Sequence, residues 1–153
     1  MAGNAKFIGT FVPDTASIKN DHIDSTTEID SGKLKHIHRA KSNFALAIGG
    51  TPATYEEVVF IADTAGTIKG FKVTLTDTGT STDIDFDLKK NGTTVLSAAV
   101  NFTHSDGDGT VKDGTLSVTS FAVDDVISIA MTVTSATGAQ GPFAEALLEE
   151  SNS

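Results

Sequence analysis

The chain has 153 residues, a formal net charge of −9, 39% hydrophobic residues and no cysteine. This length suits one globular domain with an extension, and the missing cysteines exclude disulfides, thiolate catalysis and cysteine-ligated metals. No apolar run approaches the roughly 18 residues that cross a bilayer, and the first residues lack the apolar stretch of a secretory signal. We therefore expect a protein made in the cytoplasm, without a membrane partner.

The charge is distributed unevenly along the chain. Residues 1–41 hold six Lys/Arg and five Asp/Glu, whereas residues 42–153 hold five Lys/Arg and fifteen Asp/Glu. Binding to nucleic acid needs a basic surface, so we expect no nucleic-acid partner for the acidic part. An acidic surface instead favours solubility and repulsion between copies.

Residues 1–50 show no sustained period and are predicted to form an extended N-terminal arm. The larger apolar residues between positions 11 and 34 are five to seven residues apart, an interval that fits neither a strand nor a helix. We interpret them as isolated anchors that contact another surface: Phe11, Ile18, Ile23, Ile29 and Leu34. The alternatives are a mobile tail, or loops that pack on the chain's own domain.

Residues 33–41 form a basic cluster with no acidic residue, and its cations are Lys33, Lys35, Arg39 and Lys41. In a strand these cations would share one face with Ile37, and this face would suit an acidic partner, including a neighbouring copy. The alternative is a solvated edge strand, whose lysines prevent unwanted pairing. His36 and His38 would project together from the other face, so copies around a threefold axis would bring together ligands for a transition metal. The alternative for this pair is two surface histidines.

Residues 51–153 predict a series of β-strands in chain order. The first segment is a dense apolar run, and in segments such as 71–75, 84–88 and 127–133 apolar and polar residues alternate, which is typical of half-buried strands. Asn91-Gly92 suits a two-residue hairpin because both residues tolerate a positive φ. The segments are 58–62, 71–75, 84–88, 95–102, a strand from Leu116, 127–133 and 143–148. We predict an all-β fold, an antiparallel β-sandwich or jelly roll of about seven or eight strands.

No cluster in this domain predicts catalysis. Asp83, Asp85 and Asp87 line one strand face, but a glycosidase needs one acid held protonated in an apolar setting, so we interpret them as solvated. The loop that begins at Ser105 lacks calcium-loop spacing, because the sixth and twelfth positions counted from Asp106 are valine and serine. The serine elbow, phosphate loop and zinc-protease motif are also missing from the sequence. We therefore expect no enzyme, no catalytic residue and no cofactor.

Segments 65–70, 84–96 and 123–129 resemble the jelly-roll domains of tailed-phage virion proteins. In that family one strand ends in Lys-Asn-Gly, as at residues 90–92 here, and a later strand begins with Gly-Asp-Val-Ile. Asp124 stands where the family has this glycine, which leaves the turn feasible. The resemblance covers about residues 52–149 and implies a phage structural module, commonly trimeric, used in capsid decoration, head fibres or tail appendages.

Among these classes, the chain looks most like a capsid decoration (cement) protein, because it has an arm but no shaft of repeats. That resemblance implies a location on the capsid surface of the virion, with the major capsid protein and further copies of the chain in a homotrimer as partners. The five anchors, the four cations and Ile37 would then be contacts to the capsid or to a neighbouring subunit. The alternative is a receptor- or glycan-binding module of a head fibre or tail appendage. Such modules display aromatic platforms, whereas this chain has no tryptophan and one tyrosine.

Overall fold

A computed structural model describes residues 36–44 and 50–151. Within these ranges the chain forms ten β-strands and one short 3₁₀ helix, His104–Asp106. No helix in the described part is long and apolar enough to cross a membrane. The strands are β1 (His36–Lys41), β2 (Tyr55–Ile61), β3 (Gly66–Asp77), β4 (Ser81–Lys90), β5 (Thr93–Thr94), β6 (Val100–Thr103), β7 (Val111–Asp113), β8 (Ser120–Phe121), β9 (Val126–Thr137) and β10 (Gln140–Glu150).

The strands form two antiparallel sheets of five strands each. Sheet 1 has the order β1-β10-β3-β7, with β8 also paired to β3, and sheet 2 has the order β2-β9-β4-β5, with β6 also paired to β4. Counting β5 with β6 and β7 with β8 as single positions gives eight positions divided equally between the sheets, which is the strand order of a jelly roll. The predicted antiparallel sandwich is confirmed. The structure has ten strands instead of seven or eight because two positions are each split into short strands.

The core lies between the two sheets and follows the predicted alternation. In β4 the residues Ile84, Phe86 and Leu88 are fully buried, while the residues between them point outward. The Phe86 ring packs against the rings of Phe44 and Phe102, with centroids 6.2 and 6.0 Å away. Period-two patterning therefore positions the inward face of β4, because successive side chains of a strand point to opposite sides.

The predicted hairpin at Asn91-Gly92 is confirmed. Both residues have positive φ, 51° and 79°, and Lys90 pairs with Thr93 across the turn. The predicted return strand over residues 95–102 is wrong in its extent, because β5 ends at Thr94 and β6 begins only at Val100.

The interruption between β5 and β6 has a structural cause. Val95 and Leu96 are both buried, so the two-residue alternation of a strand does not apply there. Leu96 instead forms an isolated bridge with Leu116. The predicted strand from Leu116 therefore begins with this single bridge, and the regular strand β8 starts only at Ser120.

Strand β1 belongs to the sandwich, although its residues fall within the predicted arm at 1–50. It pairs with β10 over six residues, from His36 opposite Glu150 to Lys41 opposite Glu145. The sandwich therefore contains β1 in addition to the predicted domain at 51–153. The arm residues Phe11, Ile18, Ile23, Ile29, Lys33, Leu34 and Lys35 lie outside the described residues.

Replacing Gly79 with alanine is expected to destabilise the fold by about 2 kcal/mol. Gly79 lies in the loop from β3 to β4 with φ of +63°, and an added Cβ would collide with the carbonyl oxygen of Thr137 and the amide nitrogen of Ala139. Gly70→Ala is the matched control, since a Cβ there meets no atom within 4 Å. Urea denaturation followed by circular dichroism would compare the two variants. Equal midpoints would contradict the close packing of this loop.

Candidate functional site

Strand β1 divides its side chains between the core and the solvent. Ile37 is 56% exposed and Arg39 and Lys41 are also exposed, whereas Ala40 is buried and His38 is half-buried. This is the division predicted for a strand over the basic cluster. Because β1 is at the edge of sheet 1, its cations extend the outer face of that sheet.

A row of alternating charges crosses this outer face. Lys41 is opposite Glu145, Glu145 is opposite Lys72, and Lys72 is opposite Asp113. Glu145 accepts a hydrogen bond from Arg39 at 3.1 Å, and Lys72 forms an ion pair with Asp113. Exposed ion pairs contribute about 0–1 kcal/mol each. These charges therefore add little to stability and can re-pair with charges of a partner.

Apolar side chains lie beside the charged row. Phe143 and Val111 are 37% and 57% exposed, and both are opposite Thr74 on the central strand β3. Together they line a shallow pocket of about 170 Å³. A second pocket of about 280 Å³ lies between Leu147 and the cations of the same face. We name this surface the basic face, and its residues are Ile37, Arg39, Lys41, Lys69, Gly70, Lys72, Thr74, Val111, Asp113, Phe143, Glu145, Leu147 and Glu149.

The outer face of sheet 2 has the opposite character. Asn101 Nδ2 donates hydrogen bonds to Asp83 and Asp85 at 2.8 and 2.9 Å, and Thr94 Oγ1 donates one to Asp87 at 2.6 Å. All three bonds come from uncharged donors, so the negative charge of the strand is retained. We name this surface the acidic face, and its charged residues are Glu56, Asp83, Asp85, Asp87 and Lys89.

Glu150 joins three parts of the sandwich from the inner side of β10. Its Oε2 lies 2.8 Å from His38 Nε2 on β1, and its Oε1 accepts hydrogen bonds from the backbone N–H groups of Asp63 and Thr64. Burial alone would raise the pKa of Glu150, but the Thr64 N–H, the His38 imidazole and the Asp63 N–H together hold that pKa below its ordinary value. The arrangement fixes β1 and the β2–β3 turn to β10.

The predicted metal pair is only partly described. His38 is bound to Glu150 and packs against the Phe60 ring with centroids 5.2 Å apart, while the side chain of His36 lies outside the described residues. Residues 36–44 and 50–151 contain no group of three His, Asp or Glu side chains that could hold a metal ion. A metal site at His36 and His38 stays a prediction.

Acidification is expected to destabilise the fold through Glu150. A lowered carboxyl pKa means that the native state binds fewer protons than the unfolded chain, so the resulting stability is complete above the ordinary value of 4.5 and is lost as pH falls through the lower, folded pKa. Thermal unfolding from pH 7 to pH 3 would measure this loss. Glu150→Gln should be less stable at pH 7 and decline less below pH 4.5. An equal loss of thermal stability in both proteins as the pH falls would contradict the role given to Glu150.

The aspartates of the loop after β6 are bound within the chain. Asp106 accepts hydrogen bonds from the Thr103 N–H and from Lys112, and Asp108 accepts them from the N–H and hydroxyl of Thr78. These hydrogen bonds fix the loop to Thr78 and to β7. Sequence reasoning missed Glu150 and the pocket that Phe143 and Val111 line. Apolar residues at both odd and even positions of 143–148 are the signal for a strand with two contact faces.

Comparisons with known proteins give a weak structural likeness. No family model matches the chain, and no match is found among curated proteins. Among solved structures, a chain in a structure of infectious bursal disease virus, Gx strain, is similar with a TM-score of 0.38 and 12% identity. The likeness covers 92% of this chain and 38% of the virus chain. This chain thus spans little more than a third of that protein, and no property of the virus chain is transferred to it.

Proposed function

We propose that this chain is a structural protein of a phage virion, which decorates and stabilises the capsid. The observation that carries the proposal is the basic face, where exposed apolar side chains lie among cations on the outer side of sheet 1. Such a mixture is typical of a protein contact surface. The jelly-roll strand order and the resemblance of residues 84–96 and 123–129 to phage virion jelly rolls also support it.

In this proposal the N-terminal arm contacts the major capsid protein and the sandwich projects outward. Five separate anchors between Phe11 and Leu34 would act together, so that the combined affinity exceeds that of any single contact. Contacts that form only on the assembled shell stabilise that shell by mass action. Several arms acting from one homotrimer would increase the effect further.

Truncation before β1 tests the arm. The deletion must end at residue 35, because removal of β1 would expose the core beside Ala40 and Phe44. We expect the chain 36–153 to bind capsids of the encoding phage about 100-fold more weakly than the full chain, since avidity is lost. Cosedimentation with empty capsids would measure this, and equal urea midpoints of the two chains would show that the sandwich is intact.

Two outcomes would contradict the proposal in different ways. Equal binding by both chains would remove the role of the arm. Failure of the full chain to bind capsids, together with specific binding to a glycan array, would instead favour the receptor-binding class. Light scattering after size exclusion tests the homotrimer separately, and a monomer at micromolar concentration would contradict it.

A further inference from the structure

We propose that the basic face is the surface by which the sandwich lies on an acidic surface of the capsid, so that the acidic face points to solvent. This inference rests on the proposed function and adds to it the orientation of the sandwich and the chemistry of its partner surface. It concerns residues of the described domain, and not the anchors of the arm.

The first argument is the segregation of charge. Residues 36–44 and 50–151 together hold seven Lys/Arg and fifteen Asp/Glu, so a surface with more cations than carboxylates is the exception there. Yet the basic face collects four cations against three carboxylates, whereas the acidic face has four carboxylates and Lys89. Complementary potentials orient an encounter, so an acidic partner would meet the basic face and be repelled by the other.

The second argument is the state of the cations. Lys41 is exposed and forms no ion pair with another residue of the described ranges. Arg39 is bound to Glu145 with its side chain 59% exposed, in a geometry open to a second carboxylate. At the sheet edge an acidic partner could therefore contact two cations, Lys41 and Arg39.

The third argument is the apolar surface. Ile37, Val111 and Phe143 are between 37% and 57% exposed on one face. Burying such side chains on binding would contribute about 25 cal/mol for each Å² removed from water. The described residues also expose Tyr55, Val58 and Ile61 on β2, the edge strand of the other sheet, and Val118 and Val123 in the connections on either side of β8.

The capsid fits this surface better than a second copy does. The acidic face of a neighbouring copy carries suitable charge, but the two faces are on opposite sides of the sandwich. Repeated contacts of that kind build an open stack instead of a closed oligomer. The chain that precedes His36 also joins the sandwich at β1, on the edge of the basic face. An arm that contacts the capsid would therefore start beside this face.

Two charge reversals with the same net charge test the orientation. Lys41→Glu places the change on the basic face, and Lys89→Glu places it on the acidic face, where Lys89 pairs with Glu56 at 2.8 Å. In the full chain we expect Lys41→Glu to weaken capsid binding about tenfold, because like charges would meet at the contact. Lys89→Glu should stay within about twofold of the parent, since rim and solvent-facing charges affect binding little.

The outcomes separate this inference from the proposed function. If the parent does not bind capsids, the proposed function fails. If the parent binds and the two variants bind equally, the orientation fails while the function stands. Loss of self-association in Lys41→Glu by light scattering, with unchanged capsid binding, would overturn the inference in favour of a contact between copies. Urea midpoints close to the parent's would show that both variants are folded.

Discussion

Replacing Phe86 with alanine is expected to lower the free energy of unfolding by about 3–5 kcal/mol, because a large buried side chain is lost and a cavity remains. Phe86 is fully buried at the centre of β4. Its ring contacts Phe44, which follows β1, and Phe102 on β6, and its backbone pairs with Met131 on β9. One substitution therefore weakens contacts made by both sheets.

Phe143→Ala is the matched control for Phe86→Ala. Both variants remove a phenyl ring from a strand, but Phe143 lies on the basic face and is already 37% exposed. Its loss should cost about 1 kcal/mol or less, since little apolar area is returned to water. Urea unfolding followed by circular dichroism gives both free energies. Similar losses in the two variants would mean that β4 does not face the core as described.

Glu150→Ala is expected to lower the free energy of unfolding by about 2–4 kcal/mol, the second largest effect, because it removes a buried carboxylate that takes part in three charge-assisted hydrogen bonds. The carboxylate is 8% exposed. It accepts hydrogen bonds from the N–H groups of Asp63 and Thr64 and is hydrogen-bonded to the His38 ring. A methyl group can replace none of these contacts, so β1 and the β2–β3 turn would lose their common attachment to β10.

Glu145→Ala removes a carboxylate from the same strand but from its outer face. Its partner Arg39 is 59% exposed, so this loss should stay below about 1 kcal/mol. Thermal and urea unfolding of both variants at pH 7 would test the contrast. In hydrogen exchange, Glu150→Ala should also increase exchange in β1 more than in β4. Uniform changes across all strands would contradict the local role of Glu150.

Much of the sandwich is predictable from local sequence. In β4, and in β3 from Phe71 to Leu75, the buried residues recur at every second position, and the hairpin at Asn91-Gly92 depends on two adjacent residues. Strand β1 is different, because its six residues pair with β10 more than 100 positions later. Its small inward residue Ala40 gives a weak period-two signal, so the local sequence does not separate this strand from the predicted arm.

The candidate site is predictable only in part for the same reason. The cations of the basic cluster and their common face follow from alternation within β1. The pocket between Phe143 and Val111 depends on the registers of β10 and β7 against β3, which place these residues opposite Thr74, 69 and 37 positions away in sequence. Glu150 likewise gains its partners from β1 and from the β2–β3 turn. Neither arrangement leaves a local pattern.

The content of purified virions tests the central claim most directly. Mass spectrometry of virions of the encoding phage, with labelled standards for this chain and for the major capsid protein, would give the copy number of each. The proposed function predicts that this chain is present in a fixed ratio to the major capsid protein, and that it is lost when residues 1–35 are deleted. Virions that lack the chain altogether would contradict a structural role on the capsid.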